Sequence, residues 1–328
     1  MSIILSLILI TSFAGTFLIL KIAVRKNILD IPNIRSSHTQ PTPRGGGLAI
    51  VISWYIGLAA LRYIGMIESD LFFALLSGAV LATISFLDDL FDIKPGLRIL
   101  FQIVTVMSGL FFIGGFKVIY LSGTILNYPV ILTFLAILGG IWFINLFNFL
   151  DGIDAYASTE TLLVALGMLL VLNNPVLLIL IFAVMGFLFW NWPKAKIFMG
   201  DIGSTQLGYI LLILAIYFNN QFKFNFLGWL ILTSLFWVDA TLTLFKRWRN
   251  KENLSQAHRK HYYQRIVQYG FSHRKTVIIS ILINIVFVIL VLLSEKGILS
   301  YFISFPVCLL INVILVKAID NKIPFKSV

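Results

Sequence analysis

Apolar runs recur along the whole chain, and many reach seventeen residues or more before a polar loop interrupts them. A helix of that length crosses a bilayer core of about 30 Å. Within lipid every backbone polar group must be paired inside its own segment or barrel. The runs are continuous rather than alternating, which excludes a membrane β-barrel. Composition agrees, with 59% hydrophobic and 12% charged residues, against about 25% charged in soluble domains. The expected fold class is an all-α integral membrane protein, one polytopic domain over 1–328. About eleven transmembrane helices are expected near 2–20, 47–65, 71–87, 98–115, 129–146, 159–173, 175–190, 205–219, 227–245, 276–294 and 299–317. Asn173-Asn174-Pro175 reads as the turn of a helical hairpin.

Orientation follows from Lys and Arg. In "MSIILSLILITSFAGTFLILKIAVRK" the charges follow the apolar run, the reverse of a cleaved signal peptide. The first span is therefore expected to be retained, with its N-terminus outside. One face then receives the loops near 21–46, 88–98, 147–158, 191–204 and 246–275 and the segment 317–328. These hold 21 of the 25 Lys and Arg, a bias that marks them as cytoplasmic. The net charge of the chain is +11. With the basic residues dispersed over five of these segments (147–158 has none), the charge suits anionic headgroups and phosphates and argues against nucleic acid. Cys308 is the lone cysteine and reads as a small core residue.

The polar clusters converge on that same face. "SFLDDLFDIKPG" ends the third run with Asp88, Asp89 and Asp92. Three carboxylates repel one another unless a cation sits among them, and hard oxygens suit Mg²⁺ or Mn²⁺. In "NLFNFLDGIDAYA", Asn145, Asn148, Asp151 and Asp154 recur every three residues. Three helical steps turn about 300°, so these four cannot share one face of a straight helix. Gly152 offers a break that re-aims the last turn. In "NWPKAKIFMGDIGSTQLG", Asp201 opens the eighth span between two glycines, as a metal ligand or an N-cap. "SSHTQPTPRGGGLAI" offers Arg35, His38 and Arg44 before a glycine run, a pattern that suits phosphate contact. "SQAHRKHYYQRI" places His258, Arg259 and His261 in the longest basic loop, where local positive charge opposes zinc and favours phosphate. Together, carboxylates for a metal and basic residues for phosphate suggest metal-assisted chemistry on a phosphorylated substrate.

These motifs, in this order over about residues 30–275, resemble the polyprenyl-phosphate N-acetylhexosamine-1-phosphate transferases. The specific stretches are "FLDDLFD", "NLFNFLDGID" and "NWPKAKIFMGDIGS". The resemblance implies a bundle around a cytoplasm-facing cleft in the bacterial cytoplasmic membrane, and allows a homodimer. It implies transfer of N-acetylhexosamine-1-phosphate from a UDP-sugar to undecaprenyl phosphate, with Mg²⁺, or Mn²⁺ in its place, as cofactor. It assigns Asp88 and Asp89 to the lipid-phosphate nucleophile, with Asp201 as metal ligand and Asp89 beside it. Asn148, Asp151 and Asp154 match the nucleotide-binding and catalytic run. Asn191 and Phe198 match the positions around uracil, and His261 that of a residue near the diphosphate or sugar. His258, Arg259, Arg35, His38 and Arg44 complete the expected substrate contacts.

Two departures bear on the branch. The muramyl-pentapeptide branch has Lys where Asp92 stands, and three consecutive His where this chain reads "AHRKHYYQR". The resemblance therefore points to the branch that initiates O-antigen or other surface glycans. Two other classes are disfavoured. An intramembrane prenyltransferase needs a second acidic motif, and "DGID" is too short. An ion-coupled transporter needs acids at midplane depth in paired broken spans, and only Asp239 suits such a place.

Overall fold

The computed structural model describes residues 1–32, 37–121, 124–254, 256 and 258–325. The chain begins with α1 (Ser2–Lys26), β1 (Leu29–Asp30), β2 (Thr42–Pro43), α2 (Gly47–Tyr63), α3 (Ser69–Phe91) and α4 (Pro95–Phe112). A hairpin of β3 (Ile119–Leu121) and β4 (Thr124–Leu126) precedes α5 (Pro129–Phe149), α6 (Tyr156–Leu172), α7 (Pro175–Asn191) and α8 (Asp201–Asn220). The rest is α9 (Phe226–Leu232), α10 (Ser234–Arg249), the short α11 (Tyr262–Gln268), α12 (His273–Glu295) and α13 (Tyr301–Lys322). Each of the eleven expected spans is helical. Seven helices are long and apolar enough to cross a membrane alone, and α2, α6 and α7 are shorter apolar helices. The chain is an all-α, multi-pass membrane protein.

Local chemistry sets the ends. Asn173 takes the left-handed conformation (φ 45°) that closes α6, Asn174 accepts the amide of Val176, and Pro175 opens α7. This is the expected turn, built from an αL-tolerant Asn, an N-cap and a proline at the first helical position. The ninth span departs from expectation. It is not one straight helix but α9 and α10, bent by 73°. Thr233 at the break donates its hydroxyl to the Trp229 carbonyl at 2.8 Å, and the Trp237 indole donates to the Leu230 carbonyl. Side chains that compete for helix carbonyls are a recognised cause of kinks.

α8 is the axis of the bundle. Every residue from Ile202 to Asn219 is buried, as expected of a helix that is apolar all round. Its neighbours α2, α3, α4 and α5 approach through small residues. Gly47 lies against Gly203, Gly78 and Gly109 against Tyr209, and Gly140 against Leu212. Small residues at crossings let membrane helices pack closely. Because α3, α5 and α8 pack together, the polar ends of all three come together at one end of the bundle.

Candidate active site

Three helix ends meet here. Asp89, in the last turn of α3, points at the start of α8, where its oxygens accept the amides of Asp201 (3.3 Å) and Ile202 (3.2 Å). A carboxylate at a helix N-terminus satisfies orphan amides and complements the dipole. Gly200 makes room for it at φ 77°, a conformation that favours glycine. Asp201 lies in the next position, its carboxylate 3.7 Å from the Arg98 guanidinium and accepting from Asn148 Nδ2 at 3.2 Å. Asn148, near the end of α5, also accepts the Ser204 hydroxyl at 2.7 Å. Asp151 and Asp154 follow in the loop between α5 and α6.

These side chains border a cavity of about 280 Å³, which Asp89, Asn148, Asp151, Asp154 and Asp201 line on one side. His38, Arg44, Asn191, Phe198, Gln264 and His273 line the rest. Asn191 organises its floor, accepting the Ala155 amide and donating to the Ile197 carbonyl. The Phe198 ring meets His38 edge-on at 4.9 Å. Burial, then the charges of Asp201, Asp89 and Asp154, hold the Asp151 carboxyl well above its ordinary range.

The structure separates residues that the sequence grouped. Asn145 forms a reciprocal amide pair with Gln102 of α4 instead of facing the cavity, as the helical drift requires. The break falls at the end of α5, with the left-handed residue at Ala155 (φ 61°). Gly152 has another role: a Cβ there would overlap the Tyr263 hydroxyl. Asp88 is buried and spends its charge on Arg98 at 2.6 Å and on the Ile93 amide, so it is not a cavity wall. The glycine run is not an open phosphate loop. The Gly46 and Gly47 amides already donate to the Phe198 and Met199 carbonyls at 2.9 and 2.8 Å. Arg44 lines the cavity and donates to the Asp89 carbonyl at 2.9 Å. Arg35 lies outside the described residues.

The basic loop is also rearranged. His261 is 3% exposed and does not line the cavity. Its Nδ1 lies 3.1 Å from Asp239, whose carboxylate also accepts the amides of Tyr262 and Tyr263. Asp239 thus caps α11 and is not poised as a transport site. The His258 ring lies tilted against that of His261, centroids 4.9 Å apart. Burial, then the nearby His261 and Arg247, push it down to about 3, so its ring is neutral. Arg259 accepts Gln268 through its carbonyl and is not a cavity wall. Gln264, one turn further on, reaches the cavity instead.

Sequence reasoning missed Arg98, His273 and Gln264. Arg98 and His273 sit in the first turns of apolar helices, where a lone polar residue reads as a boundary marker. The partner of His273, Asp154, is distant in sequence, so no spacing pattern could find it; Arg98 meets Asp88 across the short turn between α3 and α4.

Among the described residues, no three His, Cys, Asp or Glu side chains form a ready-made metal group. The donor chemistry nevertheless fits a hard cation. Asp89, Asp151 and Asp201 face one cavity with incomplete cationic compensation, and Mg²⁺ binds through one or two carboxylates while keeping waters.

Known proteins resemble the chain over most of its length. The glycosyl transferase family 4 model matches residues 71–219, the stretch from α3 through α8. The probable undecaprenyl-phosphate N-acetylglucosaminyl 1-phosphate transferase of Bacillus subtilis (strain 168) is 32% identical over 322 residues, covering 93% of this chain and 88% of that protein. The decaprenyl-phosphate N-acetylglucosaminephosphotransferase of Mycobacterium leprae is 27% identical, covering 83% and 77%. The undecaprenyl-phosphate alpha-N-acetylglucosaminyl 1-phosphate transferase of Escherichia coli K12 is 26% identical, covering 83% and 78%. The chain, a membrane enzyme, belongs to the polyprenyl-phosphate N-acetylhexosamine-1-phosphate transferases of glycosyl transferase family 4.

Proposed function

We propose that this enzyme transfers N-acetylhexosamine-1-phosphate from a UDP-sugar to undecaprenyl phosphate at the cytoplasmic face of the bacterial cytoplasmic membrane. The products are undecaprenyl-diphospho-N-acetylhexosamine and UMP. The observation that carries the reading is the meeting of Asp89, Asp151 and Asp201, from three separate helix ends, on one cavity with Arg44 and Phe198. The relatives' names support N-acetylglucosamine as the first sugar to test, and the "AHRKHYYQR" loop supports a surface-glycan pathway such as O-antigen initiation.

An oxygen of the lipid phosphate attacks the donor's β-phosphorus, the bond from that phosphorus to the bridging oxygen breaks, and UMP leaves. One diphosphate is consumed and one formed, so the exchange is close to balanced. Asp89 orients the attacking phosphate or takes its proton. Asp201, Asp89 and Asp151 are the residues that would hold Mg²⁺ or Mn²⁺, which when bound offsets diphosphate charge. Arg44 adds positive charge at the same wall, and Phe198 offers the base a stacking face.

The test is UMP release by purified protein in detergent, with undecaprenyl phosphate, Mg²⁺ and a panel of UDP-N-acetyl sugars. Release with one donor, lost with EDTA and in Asp89→Asn and Asp201→Asn, is expected. Full activity of Asp201→Asn at low Mg²⁺ removes the metal role. The absence of release with every donor, from folded protein with lipid present, removes the transferase reading.

A further inference from the structure

The candidate site shares a wall with a second cavity of about 540 Å³, and His273 and Asp154 lie in that wall. His273 opens α12. Its Nδ1 is 3.2 Å from Asp154 Oδ1, and its Nε2 is 3.1 Å from the carbonyl of Ser37. A carbonyl oxygen can only accept, so Nε2 carries a proton. A second proton must lie between Nδ1 and Oδ1, as imidazolium against carboxylate or imidazole against carboxylic acid. Either arrangement has no net charge. The other Asp154 oxygen accepts the Ala195 amide at 3.1 Å. The pair therefore ties together α12, the Ser37 segment, the loop after α5 and the loop after α7.

We propose that His273 is a positioning residue for the nucleotide-sugar donor, holding Asp154 in one orientation and cancelling its charge. This rests on the proposed reaction. Four other carboxylates, those of Asp30, Asp89, Asp151 and Asp201, already line the cavity, and a fifth, unpaired, would repel an anionic diphosphate. With both Asp154 oxygens engaged, the lone pairs that remain keep a fixed direction toward the donor. His273 lies too far into the wall network to be replaced by solvent without loss of that direction: its side chain is 16% exposed and that of Asp154 is 10% exposed.

His273→Ala is expected to raise the KM for the UDP-sugar at least about tenfold, while kcat and the KM for undecaprenyl phosphate stay within about threefold. His273→Gln, whose amide nitrogen offers two donors, recovers much of the loss. In an Asp154→Asn background, His273→Ala adds less than about twofold, because the two act as one unit. An unchanged donor KM in His273→Ala, or effects of the two substitutions that multiply, overturns the proposal. The wild-type enzyme carries the reaction separately: without turnover in the wild type, the reaction falls, and His273 is judged by its ring protons. The chain has four histidines, so ¹⁵N-histidine NMR can assign the His273 signal by its loss in His273→Gln. A protonated Nε2 at neutral pH supports the wall geometry, and a bare Nε2 overturns it.

Discussion

Gly200→Ala tests whether the Asp89 cap on α8 organises the site. Gly200 has φ 77° and ψ 169°, a region that residues with a Cβ occupy at a cost of about 1–3 kcal/mol. The new Cβ would also stand 2.9 Å from Asp89 Oδ2, closer than such contacts allow, so the carboxylate must move. Its bonds to the Asp201 and Ile202 amides are already 3.3 and 3.2 Å long, and a shift of a few tenths of an ångström breaks them. Loss of a cap adds about 0.5–2 kcal/mol. The total is about 1.5–5 kcal/mol of destabilisation, centred on Asp201. A misplacement of about 1 Å at a reacting centre can lower turnover by about 100-fold, so this smaller shift is expected to cost several-fold, up to about that size. Thermal unfolding in detergent and UMP release measure the two effects. Gly139→Ala is the control, since a Cβ there meets nothing within 4 Å. Gly200→Ala with turnover within about twofold of wild type and an unchanged melting temperature would refute the reasoning.

Three further outcomes follow from particular contacts. Gly152→Ala should destabilise the protein through overlap with the Tyr263 hydroxyl, and Tyr263→Phe should rescue it, because the next nearest ring atom is 3.1 Å away; a double variant no better than Gly152→Ala argues against that clash. Asp151, whose carboxyl is held high by burial and by Asp201, Asp89 and Asp154, makes folding less favourable as pH rises from about 4 through its raised value, because the folded chain keeps a proton the unfolded chain releases. Asp151→Asn should therefore raise the melting temperature at about pH 8 in cation-free buffer and leave it unchanged near pH 4; equal shifts at both contradict the charge argument. Asp320 of α13 pairs with Lys246 of α10 and with the fully buried Arg265 of α11. Asp320→Asn should cost about 1.5–3 kcal/mol of stability, and an unchanged unfolding profile excludes that clamp.

The eleven apolar segments were legible in the sequence as helical, because lipid demands length and apolarity and asks little of periodicity. The hairpin at Asn173-Asn174-Pro175 was legible because each residue has its own local conformational preference. The meeting of Asp89, Asp151 and Asp201 at one end of the bundle was anticipated from their shared membrane face, while the helical drift said that Asn145 and Asp154 could not share a face, not which of them would turn away. Hydropathy could not see the 73° bend at Thr233, since a side-chain hydroxyl bonding back to a carbonyl leaves the apolar average unchanged. Nor could local pattern tell that Gly46 and Gly47 spend their amides on Phe198 and Met199, or that Asp239 draws His261 away from the cavity. Those outcomes depend on partners tens to more than a hundred residues distant. Segment by segment, bilayer thickness and backbone hydrogen bonding determined the helices from sequence alone. Which polar side chain faces the cavity was decided by tertiary packing, because each buried charge takes the partner the assembled helices bring within reach, as His273 does with Asp154.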